Sequence, residues 1–390
     1  MAVPHESDVP TFLAPAHERL EYVPGSIVVR VHDSVREPFE FLEREAGAHT
    51  IESVDPGLNV VGLDEGAVSS ELLRTVESSP AVAFAERIPA RWLSAAPADP
   101  RHNRQWGLRA IHWFDAAPPG AGEVTVAVCD TGVDIEHPDL AGVVASYDHT
   151  GATATDLVGH GTHVSGIIAA RTDDVAGVVG VADCRVAIWK VFPDEPLEGN
   201  FYVDGSRFLR ALDAVATSGA KVLNLSLGGT QSSQAEQLLF DRLERAGVTV
   251  VAAMGNEHAH GNPVEYPAAY EHVLAVGAVA ETNRRSPFSN TGAHIGIAAP
   301  GSNILSTLPT KPSPYRPDAR YAAWSGTSMA TPHVAAAAAL VVARHPDWTP
   351  AEVKEQLRKR AATVADMGGK DFTDEFGDGL LDIAALLASD

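Results

Sequence analysis

From residue 105 onward, short runs of apolar residues alternate with segments in which apolar residues recur every three or four positions. The runs are "EVTVAVCD", "RVAIWKVF", "KVLNLSLGG" and "GVTVVAAMGN". Between them, "GTHVSGIIAAR", "FLRALDAVATSG" and "AEQLLFDRLERAG" have the spacing of helices. Nearly continuous apolar strands that alternate with helices are typical of a parallel sheet with helices on both faces. The pattern predicts a three-layer α/β domain over 105–390.

A second, smaller pattern precedes this one. "GSIVVRV", "LNVVGL" and "AVAFAERI" predict strands, and "AHTIESV" leaves room for one more. "VREPFEFLEREAG" and "SSELLRTVESSP" have helical spacing, with Ser70 the candidate cap of the second helix. We therefore predict a small α+β (ferredoxin-like) domain over 22–93, whose two helices cover one face of the sheet. It follows an N-terminal tail, 1–21, and the Ala- and Pro-rich segment 94–104 is predicted to be a linker.

Composition and charge narrow the classes of partner. The 390 residues suffice for one large and one small domain. A formal net charge of −22 predicts no nucleic acid and no anionic membrane surface as partner, because both would repel the chain. The first 25 residues lack the basic and apolar regions of a signal peptide, which favours a cytoplasmic protein as given, or a secreted one if the native start is missing.

Three motifs place chemically active side chains at the ends of predicted elements. "AVCDTGVD" leaves Asp130 at the carboxyl end of a strand, "DLVGHGTHVSG" puts His160 at a helix start, and "SGTSMATPHV" does the same for Ser328. A hydroxyl becomes a nucleophile when a base takes its proton, and the base needs a carboxylate to orient it. The carboxyl ends of parallel strands meet at one edge of the sheet, where sites form. We therefore predict a catalytic triad of Asp130, His160 and Ser328.

With these motifs and "AAMGNE", residues 105–388 resemble the subtilisin-like serine proteases. The resemblance implies a serine endopeptidase that forms an acyl-enzyme, acts on protein or peptide substrates and needs no cofactor for chemistry. It assigns Asn256 as an oxyanion-hole donor. Residues 22–93 resemble the family's propeptide, which implies a self-inhibited, self-processing precursor whose own N-terminal domain is the inhibitor. The alternative is a catalytically silent member that only binds peptides or a partner.

The same resemblance predicts the substrate groove. The strand edge "SLGG", with Ser226, Leu227 and Gly228, would pair with an extended peptide, and "ERIPARWL" would occupy it before self-cleavage somewhere in 91–103. Glu265 would lie at the floor of the specificity pocket and Glu257 at its rim. Two carboxylates there would favour Arg or Lys before the scissile bond, with Arg91 a cleavage point. If Glu265 turns to solvent instead, an apolar pocket would direct cleavage after Trp92 or Leu93.

Other polar positions have less specific interpretations. The resemblance makes Asp139 a candidate ligand of a structural calcium ion, with Asp173 or Asp174 as further ligands, although solvated turn carboxylates fit equally well. His163 lies three positions after His160, but no third residue with metal spacing follows, so we expect His163 and His333 to be packed and hydrogen-bonded. The two cysteines, Cys129 and Cys184, fall at opposite ends of predicted strands, and both are expected to be free.

Overall fold

The structure is a computed structural model that describes residues 22–32, 50–55, 57–63, 68–89, 92–93, 96–97, 105–116, 120–171, 177–317 and 320–388. Its strands are β1 Tyr22–Val31, β2 Thr50–Asp55, β3 Leu58–Gly62, β4 Val82–Pro89, β5 Trp92–Leu93, β6 Ala96–Pro97, β7 Thr125–Asp130, β8 Val144–Asp148, β9 Arg185–Lys190, β10 Val222–Leu225, β11 Leu227–Gly228, β12 Thr249–Ala253, β13 Val273–Val279, β14 Ile295–Pro300, β15 Ile304–Thr307 and β16 Tyr321–Ser325. Its helices are α1 Ser70–Glu77, α2 Trp106–Ala110, α3 Trp113–Ala116, α4 His160–Ala169, α5 Gly205–Val215, α6 Gln234–Arg245, α7 Thr327–Arg344, α8 Pro350–Lys359 and α9 Ile383–Leu387.

A seven-stranded parallel sheet forms the centre of the larger unit. Its strand order is β14-β13-β12-β10-β7-β9-β8. Along β7, Val126 and Val128 pack on the face that α4 and α7 cover, whereas Ala127 and Cys129 pack on the face that α5 and α6 cover. Both faces are apolar because both are covered, which explains the continuous hydrophobic runs. The predicted three-layer α/β architecture is confirmed.

The N-terminal unit is a four-stranded antiparallel sheet in the order β2-β3-β1-β4. With α1 between β3 and β4, this is the order of the predicted ferredoxin-like α+β fold. Successive side chains of β1 point to opposite faces of the sheet, and both faces are covered. Ile27 and Val29 pack in the cluster that includes Val76 of α1, whereas Val28 packs in the cluster that includes α5 and α6 of the larger unit.

The cap of helix α1 lies one residue before the predicted position. Helix α1 begins at Ser70, but its cap is Ser69, whose Oγ accepts a hydrogen bond from the Leu72 N–H at 3.1 Å. The expected Ser70 cap is therefore wrong by one residue, since the cap must lie just outside the helix. The helix predicted for "VREPFEFLEREAG", the tail 1–21 and most of 94–104 lie outside the described residues.

The two units meet through polar contacts as well as the apolar ones. The Glu86 carboxylate accepts hydrogen bonds from the N–H groups of Gln234 (3.1 Å) and Ala235 (3.1 Å) and from the Ser233 hydroxyl at the N-terminus of α6. Free N–H groups and the positive end of the helix dipole favour a negative charge at this position. A carboxylate of the N-terminal unit thus caps a helix of the larger one.

Helix α4 approaches β7 closely at Gly161. A Cβ atom at this position would lie 2.1 Å from the Gly132 carbonyl oxygen and 3.1 Å from the Asp130 Cβ. The first turn of α4 can therefore touch the end of β7 only if residue 161 has no side chain.

We expect Gly161→Ala to lower Tm by roughly 3–10 °C, because the helix must move away from the strand end. Thermal unfolding would be followed in the Ser328→Ala background to prevent self-digestion. Gly122→Ala is the matched control, since a Cβ there meets nothing within 4 Å. Equal Tm values for the two variants would contradict the proposed close contact.

Candidate active site

The three predicted triad residues come from three elements at the carboxyl edge of the parallel sheet. Asp130 ends β7, His160 begins α4, and Ser328 is the second residue of α7. All three side chains are buried. Each element starts or stops at this edge, so the sheet brings together residues that lie far apart in the sequence.

Asp130 and His160 form a buried hydrogen-bonded pair. The His160 Nδ1 lies 2.8 Å from Asp130 Oδ1 and 3.0 Å from Oδ2. Because a carboxylate only accepts hydrogen bonds, Nδ1 carries a proton, and in the neutral form of the ring Nε2 is then the acceptor. Nε2 is buried and makes no hydrogen bond to the residues that the structure describes. It is therefore available to take a proton.

Ser328 is held by Ser226 on the neighbouring segment. The Ser328 Oγ donates to the Ser226 carbonyl at 3.0 Å, and the Ser226 Oγ donates to the Ser328 carbonyl at 2.9 Å. The second bond exists because Pro332, four residues further along α7, has no N–H to donate to that carbonyl. The proline that interrupts the helical pattern thus frees a carbonyl that ties α7 to Ser226. The Ser328 hydroxyl must leave Ser226 before it can reach His160.

Asn256 lies beside the start of α7, with its amide oriented by Thr327. Its Oδ1 accepts hydrogen bonds from the Thr327 N–H at 2.9 Å and from the Thr327 hydroxyl at 3.0 Å. The same hydroxyl accepts a hydrogen bond from the Gly255 N–H at 3.2 Å. With Oδ1 engaged in this way, the amide nitrogen is directed away from Thr327, as an oxyanion donor beside the Ser328 N–H would need to be.

Glu265 turns into the protein and not to solvent. Its side chain is fully buried, and its Oε1 accepts a hydrogen bond from Asn290 Nδ2 at 3.0 Å. The carboxylate lies between the backbones of Gly228 and Gly255: a Cβ on the former would be 2.7 Å from Oε2, and one on the latter 2.3 Å from Oε1. Glu257 is 7% exposed, with His260 Nδ1 at 3.5 Å from its Oε2.

A sequence model of the subtilase family, Peptidase_S8, matches residues 121–379, which is more than half of the chain. The chain belongs to the subtilase family. Subtilases are serine-type endopeptidases, and this chain is one of them.

Three proteins of known family are similar to this chain. Subtilisin from Bacillus pumilus is 38% identical over 266 residues, which cover 67% of this chain and 90% of that protein. Subtilisin E from Bacillus subtilis (strain 168) is 38% identical over 266 residues, or 67% of this chain and 65% of that one. An alkaline protease from Shouchella clausii is 33% identical over 363 residues, covering 88% of this chain and 89% of its own.

Among solved structures, fervidolysin from Fervidobacterium pennivorans, described as a keratinolytic enzyme related to subtilisin, is similar with a TM-score of 0.79. The two chains are 25% identical, and the match covers 94% of this chain and 61% of that one. The similarity therefore includes much of the N-terminal unit. None of the helices in the described part of this subtilase is long and apolar enough to cross a membrane.

Asp156 is a buried carboxylate of this subtilase that the sequence analysis missed. Its Oδ1 accepts from the Thr131 hydroxyl and the Gly159 N–H, both at 2.8 Å. Its Oδ2 accepts from the Thr162 N–H at 2.9 Å and from the Thr162 hydroxyl at 2.6 Å. Asp156 thus joins the loop after Asp130 to the helix that begins with His160. An acidic residue four positions before a helix-starting histidine was the available signal.

His163 and His333 are buried among packed side chains. His163 stacks on Trp324 with ring centroids 4.9 Å apart, and Trp324 also faces the His160 ring at 6.3 Å. Burial lowers the pKa of His163 to about 3 and that of His333 to about 4. His163 Nε2 donates to the Ala322 carbonyl and His333 Nδ1 to the Met329 carbonyl. The expectation that both are hydrogen-bonded core residues is confirmed, as is that of two free, buried cysteines.

Asp139 uses both carboxylate oxygens inside the protein. Oδ1 accepts from the Tyr321 hydroxyl at 2.9 Å, and Oδ2 accepts from the Val178 N–H at 2.8 Å. In the part of the chain that is described, no three His, Cys, Asp or Glu side chains are grouped to hold a metal ion. Asp173 and Asp174 lie outside the described residues. A structural calcium ion at Asp139 stays a prediction.

We expect Asp156→Asn to lower both turnover and Tm. An asparagine amide has only one acceptor oxygen, and its NH₂ group would face donors that are buried. Each buried donor left without an acceptor should lower the free energy of unfolding by about 1–3 kcal/mol. Peptide hydrolysis and thermal unfolding would measure the two effects. Asp347→Asn, at an exposed position, is the matched control. Parent-like turnover in Asp156→Asn would mean that the loop does not depend on this carboxylate.

Proposed function

We propose that this endopeptidase hydrolyses peptide bonds through Ser328, His160 and Asp130. The buried hydrogen bonds between His160 Nδ1 and Asp130 are the observation that carries the proposal. They hold the imidazole in the tautomer whose Nε2 can act as a base. For catalysis, the Ser328 hydroxyl would break its hydrogen bond to the Ser226 carbonyl and donate to His160 Nε2 instead.

In the proposed mechanism, His160 Nε2 takes the Ser328 proton while Oγ attacks the scissile carbonyl carbon. The oxyanion that forms is stabilised by the Asn256 amide and the Ser328 N–H, at the positive end of α7. His160 then gives its proton to the departing amine, which leaves an acyl-enzyme at Ser328. Water, activated by the same imidazole, hydrolyses the ester and restores the serine.

We expect Ser328→Ala to abolish hydrolysis of casein with an almost unchanged Tm, because one small hydroxyl is lost. Asp130→Asn should reduce turnover by about 10⁴-fold through the wrong imidazole tautomer. A fluorophosphonate probe should label the parent at Ser328, as mass spectrometry of the labelled peptide would establish. A parent that neither takes up the probe nor cuts casein would support the alternative of a silent, peptide-binding member.

We further propose that residues 22–93 inhibit the enzyme until they are cut off. The backbone of β5 pairs antiparallel with β11, Trp92 opposite Gly228 and Leu93 opposite Leu227, in the way a peptide adds to a strand edge. A segment paired in this way would exclude substrate from the edge formed by Ser226, Leu227 and Gly228. The Glu86 cap on α6 and the apolar contacts of Val28 would keep the N-terminal unit in place.

If Glu86 holds the inhibitory unit, Glu86→Gln should weaken inhibition by the separately added N-terminal segment. We expect its inhibition constant to rise by about 10-fold or more, since a charge-assisted bond to the helix end is worth about 1.5–3 kcal/mol. The measurement uses residues 1–94 titrated against mature enzyme. Glu77→Gln, at an exposed position of α1, is the control. Identical constants would exclude a role for the cap.

A further inference from the structure

The strand pairings on either side of Ser328 limit where the chain can cross the active site. Before the crossing, Leu93 is opposite Leu227 in the pairing of β5 with β11. After it, Ala96 is opposite Ser325 in the pairing of β6 with β16. In the sequence, only Ser94 and Ala95 separate these paired positions. A cut between the two paired segments would therefore fall at one of the three peptide bonds that join Leu93 to Ala96.

The register selects among the three bonds. Antiparallel pairing advances one residue on each strand, so continuing it by one position would set the residue after Leu93 against the residue before Leu227, which is Ser226. The Ser226 carbonyl is the group that the Ser328 Oγ reaches at 3.0 Å. The residue opposite Ser226 is thus the one whose own carbonyl would meet the nucleophile. We propose that the enzyme cleaves itself between Ser94 and Ala95, and that its specificity pocket accepts a small side chain.

Glu265 supplies the second, independent observation. The family resemblance puts Glu265 at the floor of the specificity pocket, and its carboxylate lies between the backbones of Gly228 and Gly255. This side chain is fully buried and bonded to Asn290. A phenyl ring or an extended arginine could enter only if the carboxylate moved. A serine side chain needs no such movement.

The charge and the volume of the Glu265 carboxylate favour different substrate side chains. The charge alone would favour Arg or Lys before the scissile bond. The carboxylate also fills space that a large side chain would need, and we expect this steric effect to outweigh the charge. The inference rests on the proposed self-processing. In the proposed step, Ser328 Oγ forms an ester with the carbonyl carbon of Ser94, the bond to the Ala95 nitrogen breaks, and His160 delivers the proton to that amine. Water then releases residues 1–94 as a free acid.

The first experiment identifies the earliest products of the full-length chain. We expect intact-mass analysis over time to show fragments 1–94 and 95–390, and none in Ser328→Ala. A first cut after Arg91, or anywhere else, would overturn the proposed site and leave the endopeptidase proposal standing. An active enzyme that never cuts itself would do the same. A chain that neither cuts itself nor hydrolyses casein would overturn both.

The second experiment tests the size of the pocket. Ser94→Phe and Ser94→Arg should slow processing by about 10- to 100-fold through overpacking, whereas Ser94→Ala should process at close to the parent rate. Combining Ser94→Phe with Glu265→Ala should restore much of the rate, because the slot is emptied. Faster processing of Ser94→Arg than of the parent, lost in Glu265→Gln, would overturn the small-pocket inference in favour of an ion pair.

Discussion

The site depends on one buried carboxylate, that of Asp130, which hydrogen-bond donors hold at the end of β7. Asp130 is inaccessible to water, and its negative charge is stabilised by the His160 N–H and by the Thr131 N–H at 2.7 Å. A buried charge is costly unless donors surround it. The donors reach it because α4 touches the end of β7 at Gly161, and because Asp156 fixes the intervening loop. The sheet, the helix contact and the loop together bring hydrogen-bond donors to the Asp130 carboxylate, which offsets the cost of burying it.

The sequence was informative wherever function coincides with the end of an element. Asp130, His160 and Ser328 each follow or begin an apolar run, so the pattern that predicts the parallel sheet also predicts that they meet. The placement of Ser226, Leu227 and Gly228 on a strand edge came from the family resemblance and not from the pattern. Periodicity also sufficed for the three-layer architecture, because alternate residues of β7 pack on opposite faces.

Other features depend on side-chain directions that no pattern contains. The polar residues Asp156 and Glu86 resemble surface carboxylates in the sequence. Asp156 nevertheless accepts hydrogen bonds from both Thr131 and Thr162, and Glu86 accepts hydrogen bonds from the start of a helix in the other unit. The position of Glu265 followed from the resemblance, but that its carboxylate fills the space between two glycines depends on the approach of two backbones. The hydrogen bond of Ser328 to Ser226 depends on the Ser328 rotamer, which is set by contacts that form only in the folded site.

Two buried histidines, His163 and His333, affect how the protein would unfold and lose activity in acid. Burial lowers the pKa values of His163 and His333 in the folded state. In the unfolded chain both pKa values are near the ordinary 6.5, so below that pH the unfolded state binds more protons than the folded state. Their contribution to stability is complete above pH 6.5 and declines as the pH falls toward 4. Each copy that opens then becomes a substrate for the copies still folded. Inactivation by mild acid would accordingly accelerate with enzyme concentration, as a process between molecules.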